Sequence, residues 1–344
     1  MKGLTWPFLL TGWYLASLAA LTFLNWSGAD RFWLGALNLY LPQFIWALPG
    51  IILAAVFFRS GRSWTWLPLV GVAWVAGPVM GFCWSLPSHQ SSPQQLALRV
   101  MTWNIKYGSY DLAPLLEEIT RRQPDVVLFQ DAVDSLGGPL GAFFTGWRLY
   151  SHGQFVIASR YPLSGLEVHT LPRLEPGQEY LRCQLQFGGT AVSLYNVHLK
   201  TPRKSLNAFR TARKQPEYLP SAIETFDHNI ETRLQQAGAL ADALGAEKGP
   251  VILAGDLNSP DSSRPCALLR KAGLHDAFAE RGRGYGFTYG HFLFKHRLPW
   301  LKFSWMRIDN IMVSRHVSTR NCWAGTGQAS DHRPVIADLV LEKP

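Results

Sequence analysis

The first ninety residues contain three long stretches without a charged side chain, and this feature constrains the fold most. Gly3–Ala29, Phe32–Phe58 and Ser63–Leu98 lack Asp, Glu, Lys and Arg. A bilayer is crossed by roughly 20 apolar residues in a helix, and each stretch is long enough. We therefore predict about three transmembrane helices in residues 1–87, with two or four as the alternatives. A cleavable signal peptide would account for the first stretch alone.

The predicted helices lie near Trp6–Trp26, Leu39–Phe58 and Trp64–Leu86, and prolines in the second and third are expected to kink them. Lysine and arginine in short loops set the orientation of such helices. Lys2 would share one side of the membrane with the loop at residues 59–62. The positive-inside rule then places everything after residue 87 outside the cytoplasm, in the periplasm of an inner-membrane protein.

A polar segment separates this region from the rest of the chain. We predict a linker at residues 88–97, rich in Pro, Ser and Gln, followed by a folded domain at residues 98–344. Residues 1–87 carry a net charge of +3, which leaves +6 of the total +9 for the remainder. A moderately basic domain suits an anionic partner such as phosphate, nucleic acid or acidic lipid.

Short apolar runs alternate with helical patterns throughout this domain, which predicts an α/β fold. Residues Asp111–Gln123 have apolar side chains at helical spacing, with Asp111 as the expected N-cap. Residues Asn229–Gly245 are predicted to form a second helix. The pair Gly188-Gly189 between two strand-like runs predicts a β-hairpin.

Most of the strand-like runs end in a polar or ionisable residue. Taken singly, each such residue is more simply explained as a turn residue, a helix cap or a buried polar side chain. Because ligands of open α/β sheets bind beyond strand ends, the whole set could instead converge on one site. The set is Asn104, Gln130, Asp131, His198, Asp256, Asn258, Asp309, Asp331 and His332.

Such a set suits metal-assisted attack of water on a phosphate ester. Carboxylate and amide oxygens are the ligands that Mg²⁺ prefers, and the ion neutralises phosphate oxygens and helps the leaving oxygen to depart. A carboxylate can activate water, and a histidine held by a second carboxylate can transfer protons or stabilise charge. Zinc is not favoured, because neither the His nor the Cys residues cluster at zinc-site spacing.

Several motifs in this domain resemble those of the endonuclease/exonuclease/phosphatase superfamily, in the same order. They are TWNIK, QPDVVLFQDA, ASRYPL, YNVHLK, GDLNSPD, RIDNIMVS and SDHRPV, and they run from Met101 to Val335. The resemblance implies a four-layer αββα sandwich of two mixed sheets, here preceded by the transmembrane helices.

The resemblance also implies roles for individual residues. Metal binding falls to Asn104, Asp131 and Asp331, with Mg²⁺ as the expected ion and Mn²⁺ as the alternative. His198 would contact the scissile phosphate, Asp256 would orient or activate the water, and Asn258 would hold the phosphate or Asp256. Asp309 would pair with His332.

One position departs from the family pattern, because Asp131 stands where Glu is usual. The shorter side chain would make the metal contact water-mediated or favour a larger ion such as Mn²⁺ or Ca²⁺. It keeps the charge and the donor type, so it does not by itself predict loss of activity.

We expect a membrane-anchored, metal-dependent phosphodiester hydrolase that acts on nucleic acid or phospholipid. The alternatives are a non-catalytic binding or scaffold protein that retains the fold, and a phosphomonoesterase of the same family. Two basic stretches, Thr201–Arg233 and Tyr285–Arg307, are not required by the core site and could contact lipid, contact nucleic acid or simply pack. The partners inferred are the substrate and the bilayer, and the sequence indicates no protein partner.

Overall fold

The computed structural model describes residues 5–61, 63–85, 96–109, 111–172, 178–290 and 303–342. The chain divides into two compact units, one of residues 1–82 with 262–264 and one of residues 83–261 with 265–344. Each unit is described by itself below.

The N-terminal unit is helical. Its helices are α1 (Thr5–Ser27), α2 (Trp33–Tyr40), α3 (Leu48–Arg59) and α4 (Trp66–Trp74). Leu18, Leu53 and Val75 form part of a small apolar core within this unit. Tyr14 on α1 donates a hydrogen bond to the carbonyl oxygen of Trp46 at 3.0 Å.

Among the described residues, one helix, Trp6–Ser27, is long and apolar enough to cross a membrane. Such a helix near the N-terminus suits a membrane anchor or a signal sequence. The second predicted helix is divided, because Trp33–Tyr40 and Gln43–Arg59 are bent by 97° relative to each other. Pro42 lies at this bend, where it cannot donate a backbone hydrogen bond.

The third predicted helix is also shorter than expected. After α4 the chain continues as a π-helical turn, Val75–Val79, which contains Pro78. Residues 83–84 are already extended, and Leu86 lies outside the described residues, as do residues 88–95 of the predicted linker. The described chain thus contains one uninterrupted helix of spanning length rather than three.

The larger unit contains two six-stranded mixed sheets. The first has the strand order β13-β14-β2-β3-β5-β4 and the second β10-β12-β9-β8-β7-β6, while β1 and β11 pair separately. The strands are β1 (Cys83–Trp84), β2 (Leu98–Asn104), β3 (Val126–Gln130), β4 (Arg148–His152), β5 (Phe155–Ser159), β6 (Leu163–Thr170), β7 (Glu179–Phe187), β8 (Thr190–His198), β9 (Val251–Asp256), β10 (Leu274–Asp276), β11 (Arg283–Gly284), β12 (Asp309–Ser314), β13 (Val317–Ala324) and β14 (Val335–Leu341).

Helices cover the outer face of each sheet, which gives the predicted four layers. The remaining helices are α5 (Leu112–Arg122), α6 (Pro139–Phe143), α7 (Arg203–Ala212), α8 (Leu219–Gly245), α9 (Arg264–Lys271) and α10 (Ala277–Arg281). Side chains alternate along each strand, so Val126 and Leu128 pack between the sheets. Val127 and Phe129 face the other way, onto a cluster that includes residues of α5 and α6.

Local sequence signals explain several of these elements. Asp111 caps α5 by accepting a hydrogen bond from the backbone N–H of Ala113 at 3.0 Å, as predicted. Gly188 and Gly189 have φ of 58° and 81°, which suits the predicted hairpin between β7 and β8. Helix α8 begins ten residues before the predicted start at Asn229.

A buried amide pair joins the two sheets. Gln130 on β3 donates from Nε2 to Oδ1 of Asn196 on β8 at 2.7 Å. Asn196 in turn donates from Nδ2 to the carbonyl oxygens of Phe129 at 3.0 Å and Val156 at 3.2 Å. The second sheet is therefore hydrogen-bonded to the first through the middle of the sandwich.

Candidate active site

The layer between the two sheets changes from apolar to polar towards one end. The inner-face series are Leu98, Val100, Thr102, Asn104 on β2; Val126, Leu128, Gln130 on β3; Val192, Leu194, Asn196, His198 on β8; Ile252, Ala254, Asp256 on β9; and Val313, Ile311, Asp309 on β12. The pairing register of the strands brings the polar ends together, because Asp256 on β9 lies opposite His198 on β8 and opposite Asp309 on β12.

A glycine permits this register. Gly255 has φ of 152°, and a Cβ at this position would lie 1.8 Å from the carbonyl oxygen of Val197 on the parallel neighbour β8. Only glycine allows the two strands to approach so closely just before Asp256.

His332 lies between two carboxylates at the centre of the polar end. Its Nδ1 is 2.9 Å from Oδ2 of Asp309, and its Nε2 is 3.8 Å from Oδ2 of Asp256. Burial alone would lower the pKa of His332, but the charges of Asp309 and Asp256 offset it and raise the pKa to about 10. The imidazole is therefore held as a cation near neutral pH.

Asp256 is the buried carboxylate that contacts most of the other groups. Its Oδ2 accepts a hydrogen bond from Nδ2 of Asn104 at 3.1 Å, and its Oδ1 accepts one from the backbone N–H of Asn258 at 2.8 Å. Burial and the charge of Asp309 raise the pKa of Asp256 to about 6. Such a pKa suits a general base that works near neutral pH.

His198 faces both Asp256 and Asp131. Its Nε2 lies 3.6 Å from Oδ2 of Asp256, and its Nδ1 lies 3.5 Å from Oδ1 of Asp131. Nδ1 also lies 2.5 Å from Oε1 of Gln154. Because an amide oxygen only accepts, Nδ1 carries the proton in this arrangement and Nε2 is directed at Asp256.

Backbone conformations that L-residues rarely adopt are concentrated here. Among the described residues, six non-glycine residues have a positive φ, and four of them belong to the site: Lys106, Tyr107, Asp131 and Asn258. Asp131 has φ of 48°, a region that Asp and Asn tolerate better than longer side chains do. The backbone thus supplies a local reason for Asp where the family usually has Glu.

Asp331 is in contact with two cationic side chains. Its Oδ2 lies 2.5 Å from Nζ of Lys106 and 3.8 Å from Nη2 of Arg203. Burial would raise the pKa of Asp331, but His332 and Lys106 together lower it below its ordinary value. The other oxygen, Oδ1, is buried without a hydrogen-bond partner.

Two sets of residues at this end could hold a cation. Ligand atoms of Asp256, Asp309 and His332 lie within 4.8 Å of one another, but this set includes a nitrogen donor, whereas Mg²⁺ prefers oxygen ligands. Asn104 and Asp131 fit a hard cation better. Asn104 Oδ1 accepts one hydrogen bond, from the backbone N–H of Lys106 at 3.0 Å, and retains a second lone pair.

The eight residues with assigned roles therefore lie at one end of the sandwich. Seven of them are linked to one another by short contacts, and Asp331 contacts Lys106 and Arg203 instead. Sequence reasoning missed Gln154, whose contact with His198 spans 44 positions, and Lys106, whose contact with Asp331 spans 225. It also treated the stretches beginning at Thr201 and Tyr285 as separate from the site. Arg203 contacts Asp331, and the ring of Tyr289 lies 4.8 Å from that of His332.

The described ends of the Tyr285–Arg307 stretch pack within the domain. The rings of Tyr285 and Phe287 stack at 5.0 Å, and buried Arg307 lies 2.6 Å from Oδ2 of Asp276. Lys295, His296, Arg297 and Lys302, which carry most of the predicted positive charge there, lie outside the described residues.

Comparison with known proteins gives a consistent result. Residues 101–332 match the Endonuclease/Exonuclease/phosphatase family. The fold is similar to that of the endonuclease/exonuclease/phosphatase from Bacteroides vulgatus, with 18% identity and a TM-score of 0.53 over 72% of this chain and 100% of that chain. It is also similar to D. rerio TDP2 complexed with single strand DNA product, with 16% identity and a TM-score of 0.53 over 71% and 98%.

A third solved structure, the endonuclease/exonuclease/phosphatase family protein from Leptotrichia buccalis C-1013-b, has 14% identity and a TM-score of 0.51 over 71% of this chain and 99% of that chain. No curated protein matches the sequence. Because these sequence identities are below 25%, the similarity to solved structures shows the fold but not the function.

Proposed function

Because the chain belongs to the endonuclease/exonuclease/phosphatase family, we propose that it is a membrane-anchored, Mg²⁺-dependent phosphoesterase that hydrolyses a phosphodiester by attack of water. The observation that carries the proposal is the position of Asp256, which is bonded to Asn104 and lies within 3.8 Å of both His198 and His332. A buried carboxylate between two imidazoles and an amide matches the requirements of water activation beside a phosphate.

Asn104 and Asp131 are the residues that we propose to hold the metal ion. An ion bound there would neutralise phosphate oxygens and help the leaving oxygen to depart. Mg²⁺ is proposed because the donors are oxygen atoms, with Mn²⁺ as the alternative because Asp131 is shorter than the usual Glu.

The side chains of this chain would then divide the remaining work. Asp256 accepts a proton from the attacking water, and the backbone N–H of Asn258 fixes the orientation of its carboxylate. His198 lies beside Asp256, where it can contact the scissile phosphate. His332, kept cationic by Asp309, stabilises negative charge as it develops on the phosphate oxygens.

Two substrate classes follow from different observations. Nucleic acid is supported by the similarity to a TDP2 structure that contains a single strand DNA product. Phospholipid is supported by the apolar helix Trp6–Ser27, which would keep the domain near a bilayer. From the three uncharged stretches of the sequence we further infer a multi-pass anchor in an inner membrane, in which interrupted helices would have to span beside the one uninterrupted helix that is described. The positive-inside rule then supports a periplasmic catalytic domain.

The proposal is tested with the purified full chain and a panel of plasmid DNA, single-stranded DNA, RNA, phospholipids and inositol phosphates. Each substrate is assayed with Mg²⁺, with Mn²⁺ and with EDTA, beside His332→Ala. We expect turnover of one class that is lost in EDTA and falls by about 10²-fold or more in the variant. Turnover that persists unchanged in EDTA or in the variant would contradict the proposed mechanism, and absence of all turnover would favour a non-catalytic role.

A further inference from the structure

The contact between Lys106 and Asp331 does not follow from the roles assigned above. The ammonium group lies 2.5 Å from Oδ2 of Asp331, and the side chains of Lys106 and Asp331 are 28% and 11% exposed. Arg203, at the first position of α7, places Nη2 3.8 Å from the same oxygen. One carboxylate thus holds two cations from distant parts of the chain at the mouth of the site.

The backbone places Lys106 there. The residue follows the end of β2 by two positions, has φ of 47°, and donates its N–H to Oδ1 of Asn104 at 3.0 Å. The next residue, Tyr107, has φ of 59° and donates its N–H to the carbonyl oxygen of Asp131 at 2.5 Å. Two successive left-handed residues are costly, and such strain is concentrated at functional sites.

We propose that Lys106 and Arg203 bind the phosphate oxygens of the substrate, and that Asp331 is the positioning residue that holds them rather than a ligand of the metal ion. The proposal rests on the phosphoesterase function inferred above and replaces the sequence-based expectation that Asp331 binds the metal ion. A divalent ion at Oδ2 of Asp331 would meet the ammonium group at close range, and like charges at such distances repel strongly in a buried site.

The competing assignment is a metal ion at Oδ1 of Asp331, which is buried and lacks a hydrogen-bond partner. The two assignments predict opposite results when the carboxylate is neutralised. A positioning role predicts that Asp331→Asn binds metal normally but holds phosphate poorly. A ligand role predicts that the same variant loses metal affinity.

The experiment measures metal and phosphate binding separately on the full chain. Mg²⁺ and Mn²⁺ are titrated by calorimetry, and inorganic phosphate is titrated in EDTA, with ³¹P line broadening as a second readout. Lys106→Met should weaken phosphate binding by about tenfold or more, the loss of one charge-assisted hydrogen bond, and Lys106→Arg should recover most of it. Asp331→Asn should leave the metal dissociation constant within about threefold, because a change of that size is under 1 kcal/mol.

Matched variants on α7 provide the control. Arg203→Met should weaken phosphate binding, whereas Lys204→Met, at the exposed next position, should not. Loss of metal binding in Asp331→Asn, or normal phosphate binding in Lys106→Met, would overturn the inference and leave the proposed function intact. Phosphate binding that depends on Lys106 in a protein that binds no metal would support the inference and refute the metal dependence.

Discussion

Two carboxylates contact strand β8, and they differ in chemistry. Partly buried Glu247 lies beside the first half of the strand and accepts hydrogen bonds from Arg182 at 2.6 Å, Tyr195 at 2.7 Å and Ser193 at 2.8 Å. At the other end, His198 lies beside Asp256. Burial would raise the pKa of Glu247, but Arg182, Tyr195 and Ser193 lower it below its ordinary value. The pKa of Asp256 is raised to about 6 by burial and by Asp309.

The difference shows that burial alone does not identify a reactive carboxylate. Glu247 has a cation and two hydroxyl groups as donors, so its charge is stabilised and it has little affinity for a further proton. Asp256 has two neutral donors, and its burial together with the charge of Asp309 outweighs the opposite effect of His332, so its proton affinity is increased. A raised carboxyl pKa together with a like-charged neighbour is typical of functional sites, which supports the candidate site at the end of β8 that carries His198.

The largest expected effect comes from neutralising each carboxylate in turn. Asp256→Asn should lower kcat/KM by about 10³-fold, because the proton acceptor is lost while shape and size are kept. Glu247→Gln should leave kcat/KM within about twofold, since it acts away from the site. The measurement is hydrolysis of the substrate class identified in the panel, with thermal unfolding of each variant as a check on folding. Equal losses in the two variants would show that the assignment of Asp256 as a base is wrong.

The second prediction concerns stability at the Glu247 end. Because the pKa of Glu247 is lowered in the folded state, its contribution is present above its unfolded pKa near 4.5 and is lost as pH falls through the folded value. At pH 7 the wild-type chain should exceed Glu247→Gln by about 1–3 kcal/mol in free energy of unfolding.

This difference should shrink as the pH falls below 4.5 and through the lowered folded pKa of Glu247. Urea unfolding at a series of pH values measures it, with Glu217→Gln, at an exposed position, as the matched control. A difference that is the same at every pH would mean that the stabilisation does not depend on the ionised carboxylate.

The smallest expected effect concerns the departure from the family pattern. Asp131→Glu should lengthen the side chain towards the proposed metal and tighten Mg²⁺ binding by less than about tenfold. It should also destabilise the fold by about 1 kcal/mol, because Glu tolerates a φ of 48° less well than Asp. Calorimetric titration and thermal unfolding report the two effects separately. Tighter binding at no cost in stability would contradict the backbone explanation for Asp131.

The positions of the polar strand ends could be read from the sequence because each follows an apolar run. The run Val251–Gly255 is apolar at every position, so the sequence shows that Asp256 ends the strand but not which face of the sheet it occupies. The cap at Asp111 and the hairpin at Gly188-Gly189 are local signals and were also predictable.

The site contacts that the sequence does not predict join residues that are far apart in the chain. Lys106 reaches Asp331 only because its backbone is left-handed and because β14 pairs with β2. Neither condition is visible in a run of residues. The breaks in the second and third apolar helices differ from the prediction for another reason. The sequence predicts kinks within helices at prolines 42 and 78, whereas these prolines lie at a sharp bend and in a π-helical turn.

The amide pair between the sheets has a consequence for how accurately the enzyme must assemble. Asn104 lies on β2 of the first sheet and His332 just before β14 of that sheet, whereas His198 and Asp256 belong to the second, so a slip of one sheet over the other would separate them. The same slip would part Gln130 from Asn196 and leave buried amides unsatisfied, at about 1–3 kcal/mol for each group. A sandwich assembled with its sheets out of register is therefore destabilised by its unsatisfied buried amides. The stable folded state is the one in which the two halves of the site are aligned.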